Sequence, residues 1–271
     1  MDKTLIRSRF SRAMDSYGEF AGAQRDIADK MCRKICALPE FGHTGLSPAD
    51  IGPVLEVGCG AGMFTRMLLR CFRPESLTLV DICPEARQAA GDILCREDIR
   101  PEFICGDAEH CSLPDGMALV VSCSALQWFE DQAAFLHKCA GLLRNGGVLA
   151  ISTFGPDNLK EIKALTGCGL QYRPLGWYCD VLEASGLQTV TAEEENMVLS
   201  FSSPTEVLRH LKNTGVTGIV RTAWTRGSLV SFSKRYYGLY GKRLSDGSVS
   251  AEVPLTYNPV YLIARKRPSL R

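Results

Sequence analysis

Four short apolar runs in this chain of 271 residues each stop at residues able to grip a polar ligand. The first, Val54-Leu55-Glu56-Val57, runs into Gly58-Cys59-Gly60-Ala61-Gly62, a turn whose missing side chains let the backbone approach a bound molecule closely. Asp81 closes the second run, with Ile82 beside it, and an acid in that place can accept hydrogen bonds from both hydroxyls of a ribose. The third run ends in Gly106-Asp107-Ala108-Glu109, where Asp107 is placed to accept from an adenine amino group; the fourth ends in Ser122-Cys123-Ser124. A dinucleotide enzyme would also carry Asp81, so that residue alone decides nothing. Glu56 discriminates better. A carboxylate directly ahead of the glycines attracts an amino group and repels a pyrophosphate, and the spacing Gly-x-Gly-x-Gly is shorter than the one pyrophosphate sites use.

These residues need a scaffold that brings strand ends to one edge. Residues 5 to 38 predict one or two amphipathic helices, with Ile6, Phe10, Ala13, Tyr17, Phe20, Ala21, Ile27 and Met31 at helical spacing, followed by a Pro/Gly linker to Gly52. From Pro53 onward, apolar runs (54–57, 77–81, 103–105, 118–121 and 148–154) alternate with helical stretches (63–72, 84–97 and 131–143), the pattern of a parallel sheet with crossover helices. Asn145-Gly146-Gly147 supplies a turn into the fifth run. Further on lie helices from Pro156 and near Trp177 to Ser185, an alternating run from Val190 to Phe201, a basic helical segment, and a closing antiparallel pair, Val253–Tyr257 and Val260–Ala264. The expected fold is α/β, a Rossmann-like, mostly parallel seven-stranded sheet. Its expected organisation is an N-terminal helical cap over 1–45, a cofactor-binding core over 46–203, a basic helical lid over 204–245, and a final core strand with a basic tail over 246–271.

The glycine turn, Glu56, Asp81 and Asp107 together resemble the motifs of class I S-adenosylmethionine-dependent methyltransferases. On that reading the cofactor is S-adenosylmethionine, leaving as S-adenosylhomocysteine, and Glu56, Gly58, Cys59, Gly60, Asp81, Ile82, Asp107, Ala108 and Ser124 hold it.

Other stretches are similar to one family among these, the malonyl-acyl-carrier-protein O-methyltransferases of biotin synthesis. They are Phe10-Ser11-Arg12-Ala13 through Tyr17 to Gln24, Ser124-Ala125-Leu126-Gln127-Trp128, Ser152-Thr153-Phe154-Gly155-Pro156 with Leu159-Lys160-Glu161, Leu208 to Gly215 with His210-Leu211-Lys212, and Pro254-Leu255-Thr256-Tyr257. The resemblance covers the chain from about Ile6 to Ala264; Cys123, where the family has Asn, and Asn258-Pro259, which breaks the last strand, depart from it. It implies methylation of the free carboxylate of a malonyl thioester, on acyl carrier protein or coenzyme A. A carboxylate of pKa near or below about 4 is ionised at neutral pH, so no general base is required. The acceptor then needs donors, for which Tyr17, Arg209 and Lys212 are the candidates, with Trp128 walling the pocket and His210 taken as a surface residue.

Charge distribution adds a partner. Between Pro204 and Ser245 lie eight basic residues (Arg209, Lys212, Arg221, Arg226, Lys234, Arg235, Lys242 and Arg243) against the single acid Glu206, a local +7 in a chain of net charge +1. Such a lid suits an acidic acyl carrier protein bearing the malonyl group. Neither nucleic acid nor membrane is expected: Asn258-Pro259-Val260-Tyr261 mimics an amino-methylating motif but lies far from the fourth strand end, Arg265-Lys266-Arg267 is short, and no apolar run approaches the roughly 20 residues of a membrane span. The twelve cysteines include no Cys-x-x-Cys and the closest pair, Cys32 and Cys36, has no neighbouring His, so no metal site is expected. The first residues lack a secretory layout, which points to the cytoplasm. Two alternatives share every cofactor residue: methylation of a hydroxyl or carbon on another small molecule, and a non-catalytic S-adenosylmethionine-binding regulator.

Overall fold

The computed structural model describes residues 2–41, 48–94, 101–215, 224–241 and 252–268. Two helices, α1 (Lys3–Phe20) and α2 (Gly22–Cys36), precede β1 (Ala49–Ile51) and β2 (Val54–Val57). Then follow α3 (Met63–Cys71), β3 (Phe72–Pro74), β4 (Leu77–Asp81), α4 (Ala86–Leu94), β5 (Glu102–Cys105), β6 (Met117–Cys123), α5 (Gln132–Leu142) and β7 (Leu143–Phe154). The remainder is α6 (Lys160–Thr166), α7 (Leu175–Ala184), β8 (Leu187–Glu194), β9 (Met197–Phe201), α8 (Pro204–Asn213), α9 (Arg226–Tyr240), β10 (Val253–Tyr257) and β11 (Pro259–Lys266).

Seven strands form one sheet in the order β5-β4-β2-β6-β7-β11-β8. The first five are parallel, while β11 runs antiparallel to both β7 and β8. Strands β2 and β4 are buried along their whole length, as expected for sheet covered on both faces. Val54 faces the core under α2 and α3; Leu55 and Val57 face a second core under α5 and α7. Helix α3 shows why the alternation works. Phe64, Thr65, Leu68 and Leu69 are buried while Arg66 and Arg70 are exposed, so one stripe of the helix seals the sheet.

The structure departs from the sequence pattern at several joints. The run from Val190 to Phe201 is two strands in different sheets: β8 pairs with β11, whereas β9 pairs with β10 in a separate antiparallel ribbon. The four consecutive polar residues Glu193 to Asn196 interrupt the alternation where the chain passes from one sheet to the other. Asn258 makes the matching break between β10 and β11. Its side-chain oxygen accepts from the Asp157 N–H (3.1 Å), its amide donates to the Glu195 carbonyl (2.9 Å), and its backbone N–H donates to Asn158 Oδ1 (3.1 Å). The Asn-Pro-Val-Tyr stretch is therefore a structural joint. The helix expected from Pro156 starts only at Lys160, after Leu159 at φ 55°. The Asn145-Gly146-Gly147 turn is absorbed as an irregularity within β7, with Gly146 at φ 75°. A small parallel pair, β1 with β3, occupies what looked like linker and helix end. In sequence, α8 and α9 separate the two paired ribbon strands, and Gly215 just beyond α8 lies against the Phe10 ring of α1.

Candidate active site

The strand ends converge on a cavity of about 1080 Å³, counted to its open mouth. Every residue expected to hold the cofactor lines it: Glu56, Gly58, Cys59, Gly60, Asp81, Ile82, Asp107, Ala108 and Ser124. Gly58 and Gly60 take φ of 78° and 51°, values that side chains resist, and a Cβ on Gly58 would stand 2.5 Å from that of Ala125. Asp81 is fixed at both oxygens: Oδ2 accepts from the Gly60 N–H and Oδ1 from the Cys83 N–H, each at 2.8 Å. Burial pushes its pKa up, and these two N–H groups counter the shift.

Glu56 is the least compensated group. It is 1% exposed, burial pushes its pKa up to about 8 with the nearby Thr65 hydroxyl easing the shift, and Oε2 has no hydrogen-bond partner. Such an atom is costly unless a ligand donor reaches it. Asp107 receives the Glu109 N–H at 3.1 Å and lies 3.4 Å from the Lys3 ammonium. Lys3 is also held by Glu109 at 2.5 Å, so the cation on the cavity wall is already neutralised. Glu109 additionally accepts the N–H groups of Glu130 and Asp131, which ties the third strand end to the start of α5. Among the described residues the cavity pairs carboxylates with no unpaired cation, which suits hydroxyl and amino donors, not phosphate.

A second chamber of about 360 Å³ shares Phe10, Gln24, Ser124 and Trp128 with the first. Trp128 and Phe10 meet edge to face at 5.3 Å and line both chambers. The rest of the second lining is Gln127, Phe154, Asn158, Tyr172, Thr214 and Tyr257. Among the described residues its polar groups are all neutral. Asn158 donates to Tyr172 Oη at 2.8 Å, which leaves the Tyr172 proton for another acceptor. Burial pushes the Tyr172 pKa up to about 12, so it keeps that proton at neutral pH. Ser124, at φ 58°, donates its N–H to Ser152, and its hydroxyl has no partner; neither has Gln24 Oε1.

The expected acceptor residues fall elsewhere. Arg209 is exposed and paired with Glu206 at 3.1 Å, and Lys212 is exposed; neither lines a chamber. The helical phase of α8 is the reason. Val207, His210 and Leu211 occupy the buried face, which turns residues 209 and 212 to solvent. His210, expected on the surface, is instead buried, with Nε2 2.7 Å from Tyr257 Oη, and burial lowers its pKa. Tyr17 falls on α1, and its side chain lies outside the described residues, as do Arg221, Lys242 and Arg243. Gln24, Asn158, Tyr172, Thr214 and Tyr257 had no predicted site role. Gln24, Thr214 and Tyr257 did stand in the segments that carried the family resemblance.

Comparison with known proteins settles the class. Residues 55–151 match the family model described as a methyltransferase domain. A Bacteroides thetaiotaomicron protein named malonyl-[acyl-carrier protein] O-methyltransferase is 41% identical over 98% of this chain and 99% of its own length. This chain belongs to the malonyl-[acyl-carrier protein] O-methyltransferase family. A Bacteroides fragilis relative of the same name is 44% identical over 98% of the chain, which spans 51% of that longer protein; one from Acinetobacter baylyi is 36% identical over 98% of both. Among solved structures, a Bacillus halodurans protein described as a methyltransferase aligns with TM-score 0.59 at 17% identity, over 85% of this chain and 99% of its own, which shows the shared class I fold. As a member of the family, the protein is an S-adenosylmethionine-dependent methyltransferase. Its cavity fits that cofactor: the orphaned carboxylate of Glu56, the glycine cradle and the anchored Asp81 offer acceptors to an ammonium and to ribose hydroxyls.

Proposed function

We propose that this enzyme methylates the free carboxylate of a malonyl group carried on acyl carrier protein, giving the methyl ester from which the pimeloyl chain of biotin is built, in the cytoplasm. The observation that carries the reading is the neutral polar chamber joined to the cofactor cavity across Ser124 and Trp128, in a chain whose full-length relatives bear the substrate in their name.

When bound, S-adenosylmethionine supplies a methyl group activated by its positively charged sulfur. Glu56 takes the amino group, Asp81 the ribose hydroxyls and Asp107 the adenine amino group. In the second chamber the acceptor carboxylate is already ionised, so the residues there orient it and keep it dry. Tyr172 presents its unspent O–H, and Ser124 its unpartnered hydroxyl. Tyr17, one turn beyond Met14 in the sequence of α1, is retained as a further donor. Phe10 and Trp128 exclude water, and His210, neutral and spent on Tyr257, holds the chamber's floor rather than moving a proton. Arg209 and Lys212 serve outside. With Arg226, Lys234 and Arg235, also exposed, they make the outer surfaces of α8 and α9 basic, which suits an acidic carrier protein.

Mass spectrometry of malonyl-carrier protein after incubation with enzyme and S-adenosylmethionine tests the proposal. The expected product is heavier by one methylene and the gene rescues a biotin-requiring strain. Methylation of free phenols or enols with none of the carrier would replace the substrate assignment, and cofactor binding with no turnover on any thioester would replace catalysis by a regulatory role.

A further inference from the structure

Away from the active site, three thiols meet where two helices end. Cys32 and Cys36 are one turn apart on α2, and Cys71 is the last residue of α3. The three sulfurs all lie within 4.8 Å of one another, with Cys32 Sγ and Cys71 Sγ 3.7 Å apart although 39 residues separate them in sequence. Among the described residues this is the one group of three such side chains close enough to share an ion. No Cys-x-x-Cys spacing announces it, because the third ligand comes from another helix.

The geometry points to a site for a thiophilic divalent cation, Zn²⁺ in the first instance, held by Cys32, Cys36 and Cys71. Zinc–sulfur bonds of about 2.3 Å put the sulfurs of a tetrahedral site about 3.8 Å apart, close to the observed Cys32–Cys71 separation. Cys32 is buried while Cys36 and Cys71 are half-buried, which leaves an approach from solvent and room for water as the fourth ligand. Cys36 and Cys71 are both terminal helical residues, so the negative ends of α2 and α3 converge on the same point and favour a cation there. The ion would clamp α2 onto α3, the helix that springs from the cofactor-binding glycine turn.

The test uses full-length, reduced, metal-free protein titrated with Co²⁺ and then Zn²⁺. One equivalent of Co²⁺ is expected to give the intense sulfur-to-metal and visible bands of a tetrahedral thiolate site, one equivalent of Zn²⁺ to displace it, and the zinc-loaded protein to melt at a higher temperature. Cys36→Ser and Cys71→Ser should each lose the bands and the thermal shift, while Cys105→Ser, at an exposed thiol elsewhere, keeps both. Calorimetric binding of S-adenosylhomocysteine certifies that each variant is folded. A weak octahedral cobalt spectrum in the wild type, or thiolate bands that survive Cys71→Ser in a folded variant, would overturn the site.

Discussion

The cofactor chamber takes its polar groups from successive strand ends of one parallel sheet, whereas the second chamber, the proposed acceptor site, collects Gln24, Ser124, Asn158, Tyr172, Thr214 and Tyr257 from segments scattered between α2 and β10. The first is lined by carboxylates, the second by neutral donors and acceptors. This difference has a chemical use. Carboxylates recognise a cationic ligand through strong charge-assisted hydrogen bonds, but a cation against the acceptor would hold its carboxylate oxygens as strongly and blunt their attack. Under the proposed function, neutral hydroxyls would aim the nucleophile at lower cost to its reactivity. Arg209 and Lys212, which the sequence reading set against the acceptor, stand outside, and under the proposed function their long-range field would guide the carrier's encounter.

If the comparison holds, substitutions in the two chambers separate cofactor binding from turnover. The largest effect belongs to Asp81→Asn. Two hydroxyl contacts to a charged group, each worth about 1.5–3 kcal/mol, are weakened together, so calorimetry should show cofactor affinity lower by on the order of 100-fold or more. An unchanged affinity would break the assignment of the ribose site.

Next comes the pH dependence of Glu56. It stays protonated in the cofactor-free protein up to about pH 8, against 4.5 for an ordinary glutamate. An ammonium ligand favours the ionised form, so cofactor affinity should climb by up to about tenfold per pH unit toward that value and then level off. Stability of the cofactor-free protein runs the other way. The folded state binds the extra proton between the two values, so stability falls as pH rises through that window, by at most about 1.4 kcal/mol per unit. Glu56→Gln should flatten both profiles, and persistence of either slope in that variant would assign it to another group.

Tyr172→Phe removes one neutral donor worth about 0.5–1.5 kcal/mol. Turnover on the malonyl carrier should drop up to roughly tenfold, with cofactor affinity unchanged; a loss in affinity instead would merge the two chambers into one functional unit. The smallest effect is expected outside them. Arg209→Ala should leave turnover at saturation intact and reduce the steepness with which kcat/KM for the carrier-linked substrate falls as salt is added, while a coenzyme A thioester shows a gentler decline with or without the substitution. Equal salt slopes for both substrates would remove the basic face from docking.

Sequence alone determined the parallel sheet, the glycine turn and the three acids of the cofactor chamber, because each of these residues sits where a local apolar run stops and a strand of a parallel sheet must present its end to the ligand. Only the tertiary structure decided the rest. Which face of α8 turns inward depends on what packs against it, so His210 and Thr214 are buried while Arg209 and Lys212 are not. The break at Glu195 and Asn196 follows from the Asn258 joint, whose partners lie far away in the chain. Tyr172 becomes a donor because Asn158 occupies its oxygen, and Cys71 meets Cys32 because α3 docks on α2. Periodicity reports the state of a segment, but these meetings depend on the shapes of two surfaces, and that information is distributed over the whole packed core.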